Sequence, residues 1–429
     1  MEQLKTVKVA LLGLGTVGTG VYKVLQNQKE EMPQKIGAQV ELCKILVRNK
    51  EKAAKKVSDP SIITDSWEEI LQDEEIQIVI EVMGGLEPAH TYIMQALQAG
   101  KHVVTANKDL IAARGKDLLD EAKSRKQDLL FEAAVAGAIP IIRPLKQCLA
   151  GNHIEEVMGI VNGTTNFILT KMTAEGMDYQ EALDLATELG YAEADPTADV
   201  GGLDAARKVA IMASIAFNSR VTFDDVYIEG ITKITAKDIQ YAKEMGCSIK
   251  LLGIAKQTPE GIEARVHPML IDSNHPLASV NDSFNAVFVR GDAVGDTMFY
   301  GRGAGELPTA SAIVGDVFDI VRNIRFSCTG RISCTCYKNL PIKKIEDCAN
   351  RYFLRMQVAN RPGVLASIAS VFGNNAVSIE QLIQKRKDGE IAEIVIITEE
   401  VYEGHFNNAV KVLEGMDILH EISAMIRVY

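Results

Sequence analysis

The sequence predicts an α/β protein in three parts: an N-terminal parallel sheet, a middle region of mixed helices and strands, and a small C-terminal module. Three observations support this prediction. Short apolar runs alternate with helical periods up to about residue 137, which is typical of βαβ units. A glycine-rich turn follows the first apolar run. From residue 351 the pattern predicts the order βαββαβ, that of a ferredoxin-like module.

Length, charge and composition narrow the class of protein. The 429 residues are enough for about two to four domains. A net charge of −11, from 57 acidic and 46 basic residues, argues against nucleic-acid or anionic-membrane partners. No apolar run reaches about 18 residues, and glycines interrupt VALLGLGTVG, which argues against a transmembrane helix and a signal peptide. We therefore expect a cytoplasmic protein.

The first predicted domain covers residues 1–135 and is completed by a returning segment at about 301–325. Its expected helices cover 16–30, 66–73, 88–100 and 110–126. The apolar runs between them are VKVALLG (7–13), QVELCKILV (39–47), IQIVIEVMGG (76–85), HVVTANK (102–108) and DLLFEAAVAG (128–137). Strands that alternate with helices in this way predict a parallel sheet.

The glycine-rich turn GLGTVG has the spacing G-x-G-x-x-G between a strand and a helix, which is the Rossmann context for a dinucleotide. Gly13 permits the tight turn, Gly15 lets backbone approach a pyrophosphate, and Gly18 allows close helix–sheet packing. We expect the phosphates to meet the first backbone N–H groups of the helix, at Thr16 and Val17. The alternative is a glycine-rich turn without a ligand.

The end of the second strand indicates the type of cofactor. NAD-binding sheets usually carry an acidic residue there, for the ribose hydroxyls. This chain has Arg48 and Lys50 instead, and basic side chains can pair with a 2′-phosphate. We therefore favour NADP over NAD, with a simple surface charge as the alternative for Arg48.

Two lysines are candidates for proton transfer in nicotinamide chemistry, which needs a proton donor near the reacting oxygen. Lys108 follows an expected strand, at the sheet edge where ligands gather. Lys208 lies four residues after Asp204, on the same face if the segment is helical. The alternative for this second pair is a surface ion pair of a few tenths of a kcal/mol.

The stretch EADPTADVGGLDAARK places several carboxylates before Lys208. Together with Tyr191, the carboxylates of Glu193 and Asp199 could bind the ammonium group of an amino-acid-like substrate. A Mg²⁺ or Ca²⁺ site is a second interpretation, although the ligand order of an EF-hand is absent.

Seven cysteines in a chain of this length do not indicate a disulfide scaffold. Three of them lie close together in the sequence, at Cys328, Cys334 and Cys336. We interpret them as free thiols, with a regulatory disulfide as the alternative.

Five blocks together resemble those of the homoserine dehydrogenase family along most of the chain. They are GLGTVG, TANK (105–108), GIVNGTTNFIL (159–169), YAEADPTADVGGLDAARK (191–208) and GRGAGELPTASA (301–312). The resemblance implies interconversion of aspartate 4-semialdehyde and homoserine. It also implies a catalytic and dimerisation domain at 136–300, a linker at 326–350, and a homodimer or homotetramer.

The resemblance also implies individual roles. Lys208 corresponds to the proton donor and acceptor, and Lys108 to a second active-site lysine near the nicotinamide. Gly303 lies in a stretch that returns to cover the nucleotide. The implied substrate-binding residues are Glu193, Asp199, Asp204, Tyr191, Gly163 and Thr164.

The stretch EAAVAGAI resembles a monovalent-cation loop, with the Glu132 region and the carbonyls of Val135, Gly137 and Ile139 as ligands. Carbonyl oxygens suit a hard cation, and sodium is the expected ion.

Residues 351–429 resemble an ACT domain, with VANRPGVLASIASVF as its opening strand, turn and helix. The resemblance implies feedback by threonine, although Asn360 stands where the motif often has Asp. A purely structural dimerisation module is the alternative.

Two rival functions remain at this stage. Aspartate-semialdehyde dehydrogenase would need a cysteine nucleophile, and Cys148, the cysteine nearest the substrate region, has no evident histidine partner. A non-catalytic NADP-binding sensor would have no need of the 191–208 block.

Overall fold

The computed structural model describes residues 5–386 and 389–429. Its strands are β1 (Thr6–Leu12), β2 (Gln39–Leu46), β3 (Ile63–Thr64), β4 (Ile76–Glu81), β5 (His102–Thr105), β6 (Leu129–Leu130), β7 (Ile154–Ile160), β8 (Tyr227–Ile228), β9 (Cys247–Thr258), β10 (Gly261–Asp272), β11 (Phe284–Gly291), β12 (Gly295–Arg302), β13 (Ala349–Ala359), β14 (Ile379–Arg386), β15 (Ile391–Thr398), β16 (Val401–Tyr402) and β17 (Leu419–Val428).

The α-helices of the described residues are α1 (Thr16–Asn27), α2 (Met32–Ile36), α3 (Lys50–Ala54), α4 (Trp67–Leu71), α5 (Ala89–Gln98), α6 (Lys108–Arg125), α7 (Gly163–Glu175), α8 (Tyr179–Glu188), α9 (Thr197–Val200), α10 (Leu203–Ala216), α11 (Ala236–Glu244), α12 (Glu306–Arg325), α13 (Val364–Asn374) and α14 (Glu403–Glu414). No helix in the described part of the chain is long and apolar enough to cross a membrane.

The chain forms two compact units. The first extends to Val157 and also contains Ala210–Phe223 and Asn285–Asn339. The second consists of Met158–Val209, Asp224–Phe284 and Leu340–Tyr429. The predicted α/β class is confirmed, whereas the domain boundaries given above remain predictions.

The first unit is built on a six-stranded sheet in the order β3-β2-β1-β4-β5-β6, with every pair parallel. Its buried strands carry Val, Ile and Leu on both faces, as expected for a parallel sheet covered by helices. Helix α12 belongs to this unit and packs on α1. A Cβ atom at Gly20 would lie 2.4 Å from the carbonyl oxygen of Glu306, so this approach requires glycine.

The last strand of this sheet is much shorter than the apolar run DLLFEAAVAG indicates. β6 covers two residues, and a 3₁₀ turn follows at Glu132–Ala134. Both Ala136 and Gly137 then adopt a φ of 55°, in the left-handed region, which ends the extended backbone. Apolar character alone therefore overestimates the length of this strand.

The second unit contains the sheet order β9-β10-β17-β13-β15-β14. β9 and β10 form a long antiparallel hairpin, and β17 pairs in parallel with β10 at Met269↔Arg427 and Leu270↔Val428. The C-terminal module has the predicted βαββαβ order, with the short β16 added before α14. Because β17 pairs with both β10 and β13, the strands of the C-terminal module and the β9–β10 hairpin belong to one continuous sheet.

Candidate active site

Asn162 organises a cluster of charged side chains in the second unit. It follows β7 and caps α7, where its Oδ1 atom accepts the backbone N–H of Thr165 at 2.9 Å. Its side-chain amide nitrogen donates to Oδ1 of Asp199 at 2.7 Å and to Oδ2 of Asp204 at 2.9 Å. One amide therefore fixes the helix start and holds two carboxylates together.

Lys208 is held tightly beside this amide. Its Nζ atom donates to Oδ2 of Asp204 and to the carbonyl oxygen of Val161, both at 2.6 Å. The side chains of Lys208 and Asp204 are only 11% and 10% exposed. This is the predicted i, i+4 pair, but it is a buried pair and not a surface one. A buried charge needs such partners, because its desolvation otherwise costs several kcal/mol.

Asp199 lies in the short helix α9 and is half-buried. Burial raises the pKa of Asp199, and the nearby carboxylate of Asp204 acts in the same direction. The Asn162 amide and the Lys208 ammonium oppose this rise. A cationic group of a ligand placed beside Asp199 would stabilise its charged form.

The remaining predicted substrate residues differ in placement. Gly163 begins α7, and the Thr164 hydroxyl donates to the carbonyl oxygen of Tyr191 at 2.7 Å. The Tyr191 ring packs on Phe167 with 4.7 Å between centroids and stays 41% exposed. Glu193 is exposed in the loop before α9, and the hydrogen-bond network of the described residues does not include it.

Asp195, the fourth carboxylate of the acidic stretch, has a structural role. Its Oδ1 atom accepts the backbone N–H of Thr197 at 3.1 Å, at the start of α9. Hydrogen bonding to this threonine lowers the pKa of Asp195. The acidic stretch therefore does not act as one group of equivalent ligands.

The predicted nucleotide turn lies at a cleft of about 470 Å³ in the first unit. Gly13 has a φ of 102°, and a Cβ atom at Gly18 would lie 2.2 Å from the carbonyl oxygen of Gly13. Helix α1 begins at Thr16 without a side-chain cap, and the space around Gly15 is open to 4 Å among the described residues. Uncapped N–H groups at an open helix start fit a phosphate.

Basic side chains line this cleft, as the second strand predicted. Arg48 is one of them, and sequence reasoning missed Lys52 and Lys56. The Lys56 ammonium donates to the carbonyl oxygen of Leu14 at 3.0 Å. By contrast, Lys50, which was also predicted to bind the cofactor, forms an ion pair with Asp65 at 2.5 Å.

Lys108 is the first residue of α6, directly after β5. Asn107 caps this helix through the N–H of Leu110 and donates to the carbonyl oxygen of Gly85 at 2.7 Å. A fully buried carboxylate, Glu81, supports the same sheet edge by accepting the Thr105 hydroxyl at 2.6 Å and the N–H of Met83 at 2.7 Å. No motif in the sequence singles out Glu81.

The predicted cation loop surrounds a carboxylate that is already satisfied. Glu132 accepts backbone N–H groups from Ile141, Ile142 and Arg143 at 2.6–2.8 Å. A cation here would therefore be held by main-chain carbonyls, as the implied ligands Val135, Gly137 and Ile139 require. Carbonyl oxygens fit a hard cation such as sodium.

The stretch at Gly303 packs against this loop. A Cβ atom at Gly137 would lie 2.3 Å from the carbonyl oxygen of Gly303, and Ala138 donates its N–H to the carbonyl of Arg302 at 3.2 Å. Lys23 of α1 pairs with Glu306 at 2.6 Å. These contacts fix the segment around Gly303 to the unit that contains the parallel sheet.

A dinucleotide turn on a parallel sheet, a basic cleft, and a buried lysine held by a carboxylate and a backbone carbonyl are typical of one class of protein. This class is the NAD(P)-dependent dehydrogenases, which are oxidoreductases.

Comparison with known proteins identifies the family. Residues 13–132 match the family model "Homoserine dehydrogenase, NAD binding domain", residues 140–318 match "Homoserine dehydrogenase", and residues 352–416 match "ACT domain". The homoserine dehydrogenase of Bacillus subtilis is 43% identical over 427 residues, covering 99% of each chain. The chain belongs to the homoserine dehydrogenase family.

Solved structures agree with this assignment. A homoserine dehydrogenase from Thiobacillus denitrificans is similar with a TM-score of 0.95 and 41% identity, covering 100% of this chain and 99% of that one. A hyperthermophilic archaeal homoserine dehydrogenase mutant, solved in complex with NADPH, is similar with a TM-score of 0.63 and 26% identity, covering 73% of this chain and 97% of that one. The enzyme class, the NAD-binding domain and the ACT domain predicted from the sequence are confirmed.

The Asn162 network can be tested by changing the amide to a carboxylate. Asn162→Asp would place a third carboxylate against Asp199 and Asp204, which raises the folded-state pKa of the new residue above its unfolded value. We expect a loss of about 3 kcal/mol in unfolding free energy near pH 8. The loss, relative to the wild type, should shrink as the pH falls through the raised folded-state pKa.

Thermal unfolding between pH 5 and pH 8 measures this difference. Asn49→Asp is the matched control, because Asn49 is also an N-cap that accepts a backbone N–H, from Lys52 at 2.9 Å, but it is exposed. An equal, pH-independent effect of the two substitutions would contradict the proposed carboxylate crowding.

Proposed function

We propose that the chain interconverts L-aspartate 4-semialdehyde and L-homoserine in threonine, methionine and isoleucine biosynthesis, with Lys208 as its proton donor and acceptor. The observation that carries this proposal is the buried ammonium of Lys208, fixed by Asp204 and Val161 at 2.6 Å. A general acid must be held in place to act within hydrogen-bond reach of the reacting oxygen.

Hydride transfer at the aldehyde carbon is the chemistry that a bound nicotinamide supplies. In the reductive direction Lys208 gives a proton to the oxygen that gains negative charge, and in reverse it takes that proton back. Asp204 fixes the lysine by accepting its hydrogen bond at 2.6 Å. Lys108, at the start of α6, is proposed as a second active-site lysine, near the nicotinamide.

Recognition of the substrate's amino-acid end is assigned to the acidic and aromatic residues around α9. Asp199 is proposed to bind the ammonium group, since burial and the Asp204 carboxylate raise its pKa and a bound cation would offset this rise. Glu193 is exposed and would add to this binding from the loop before α9. Gly163, Thr164 and Tyr191 would shape the pocket.

A monovalent cation, proposed to be sodium, fits the carbonyl oxygens of Glu132, Val135, Gly137 and Ile139. Its role would be structural, since the Glu132 carboxylate already ties this loop to the next turn. Beneath the loop, burial and the Glu132 carboxylate raise the pKa of Asp316 to about 7, although Arg143 opposes them. A nearby cation would lower that pKa.

The role of Lys208 predicts a loss of turnover. Lys208→Met should lower kcat by about 10²–10⁴-fold, because the side chain is lost as a general acid while the cofactor cleft is unchanged. Steady-state kinetics with homoserine, together with fluorescence titration of NADPH, measure the two properties separately.

Lys116→Met is the control for this experiment. Lys116 also forms an i, i+4 pair, with Asp120 at 3.0 Å, but this pair is exposed on α6. Its loss should leave kcat within about twofold, since exposed ion pairs contribute little. Near-normal turnover by Lys208→Met would refute the proton-transfer assignment.

The basic cleft supports a preference for NADPH over NADH, as does the NADPH complex of the archaeal relative. Arg48→Ala should reduce the ratio of kcat/KM for NADPH to that for NADH by about 10–100-fold, the equivalent of a charge-assisted hydrogen bond of about 1.5–3 kcal/mol. Lys55→Ala is the control, because Lys55 is exposed beside α3 but does not line the cleft. An unchanged ratio in Arg48→Ala contradicts the proposed phosphate contact.

Feedback by threonine is proposed to act through a cleft on the C-terminal module. Its lining combines cations and anions, which suits a zwitterionic amino acid: Lys237, Arg355 and Arg361 with Glu390, Asp417 and Glu421. Asn360, at the ACT-like turn, lines the same cleft.

The threonine proposal predicts a selective loss of inhibition. Arg361→Ala should raise the threonine concentration for half-inhibition at least about tenfold, because it removes a cation for the effector carboxylate, without changing kcat. Lys411→Ala on α14, exposed and outside this cleft, is the control. Absence of inhibition in the wild type, or equal inhibition of all three proteins, would contradict the proposal.

A further inference from the structure

Cys334 and Cys336 form a thiol pair in the first unit that the proposed catalysis does not use. They lie after α12 and line a small cavity of about 30 Å³. Two cationic side chains, Lys146 and Arg220, line the same cavity. The rest of its wall is largely apolar, from α6, α10 and Phe131. The two thiols therefore share one site with two cationic side chains.

The contacts in this site favour a negative charge on one sulfur. The Arg220 guanidinium donates to Sγ of Cys334 at 3.7 Å. The Cys336 thiol donates to the carbonyl oxygen of Ser214 at 3.5 Å. The Lys146 ammonium lies over the Phe131 ring, 5.0 Å from its centroid. Cys334 is thus the thiol that contacts a cationic donor, whereas Cys336 contacts a backbone carbonyl.

The pKa values of the two thiols are shifted in opposite directions. The neighbouring Cys336 thiol, acting as a hydrogen-bond donor, lowers the pKa of the Cys334 thiol; Arg220 and Lys146 act in the same direction, and burial opposes them. The same interaction raises the pKa of Cys336. Elsewhere burial raises the pKa of Cys43 and of Cys348 to about 11. Thiolate formation in a cationic, partly exposed site is what makes a cysteine reactive.

The site offers two thiols but too few other ligands for a metal ion. Within residues 5–386 and 389–429 no group of three or more His, Cys, Asp or Glu side chains is placed to hold one. A thiolate with a neighbouring thiol is instead the arrangement of a peroxide-sensitive cysteine and its resolving partner.

We propose that Cys334 is a peroxide-reactive cysteine and that Cys336 resolves it to a disulfide. The Cys334 thiolate attacks a hydroperoxide, so that an S–O bond forms, the O–O bond breaks and two electrons pass from sulfur to oxygen. The sulfur of Cys336 then displaces the hydroxyl group of the sulfenic acid, and its thiol proton leaves with that group as water. In total, two thiols and one hydrogen peroxide give one disulfide and two waters.

Peptide mapping of the full-length protein tests this proposal directly. Reduced protein is treated with limiting hydrogen peroxide, blocked with an alkylating reagent and cut with trypsin. Cleavage after Arg331 and Lys338 yields the peptide ISCTCYK, which contains both cysteines and excludes Cys328. We expect this peptide to lose two hydrogens before Cys148 or Cys328 is modified, although both of these are exposed.

Two single variants identify the attacking sulfur. Cys336→Ser should accumulate a sulfenic acid at Cys334 that dimedone traps, whereas Cys334→Ser should consume peroxide at least about tenfold more slowly. Cys148→Ser is the control and should react like the wild type. The assignment would be overturned if dimedone trapped a sulfenic acid at Cys336 of the wild type. It would also be overturned if Cys334→Ser and the wild type consumed peroxide at equal rates.

A measurement on the wild type alone avoids any effect of substitution on folding. At pH 6 an ordinary thiol is almost fully protonated, so iodoacetamide should alkylate Cys334 at least about tenfold faster than the exposed Cys148. Equal alkylation rates at the two positions would overturn the proposal.

Discussion

The burial of the Lys208 ammonium is the constraint on which the catalytic part of the second unit depends. A charge that is only 11% exposed is tolerated if its hydrogen-bond partners are fixed beside it. Asp204 provides one partner from the same helix, and Val161 provides the other from the end of β7. The end of that strand and the start of α10 must therefore stay within hydrogen-bond distance.

The chain leading into α10 meets this requirement with glycines. Gly202 has a φ of 84°, in the left-handed region that favours glycine. A Cβ atom at Gly230 would lie 2.1 Å from the carbonyl oxygen of Val200, so the segment after β8 presses directly against the turn before α10. The glycine pair of the acidic stretch is thus explained by backbone geometry and not by contact with a ligand.

Sequence reasoning recovered those features that depend on short spacings. The i, i+4 relation of Asp204 and Lys208 and the glycines at 13, 15 and 18 could be found in this way. Asn162 could not, because it lies 37 and 42 residues from the carboxylates it joins. Lys52 and Lys56 were missed because they follow the second strand in α3 and the loop after it, beyond the position where a cofactor-specific residue is sought.

The carboxylates of the acidic stretch at residues 193–204 have different partners in the structure and therefore different roles. Asp195 accepts the backbone N–H of Thr197 at the start of α9, and Asp204 pairs with Lys208. Asp199 shares the Asn162 amide with Asp204 and is half-buried, which leaves its charge poorly compensated. An incoming ammonium group would therefore gain most beside Asp199. Burial, which the sequence does not reveal, decides this division.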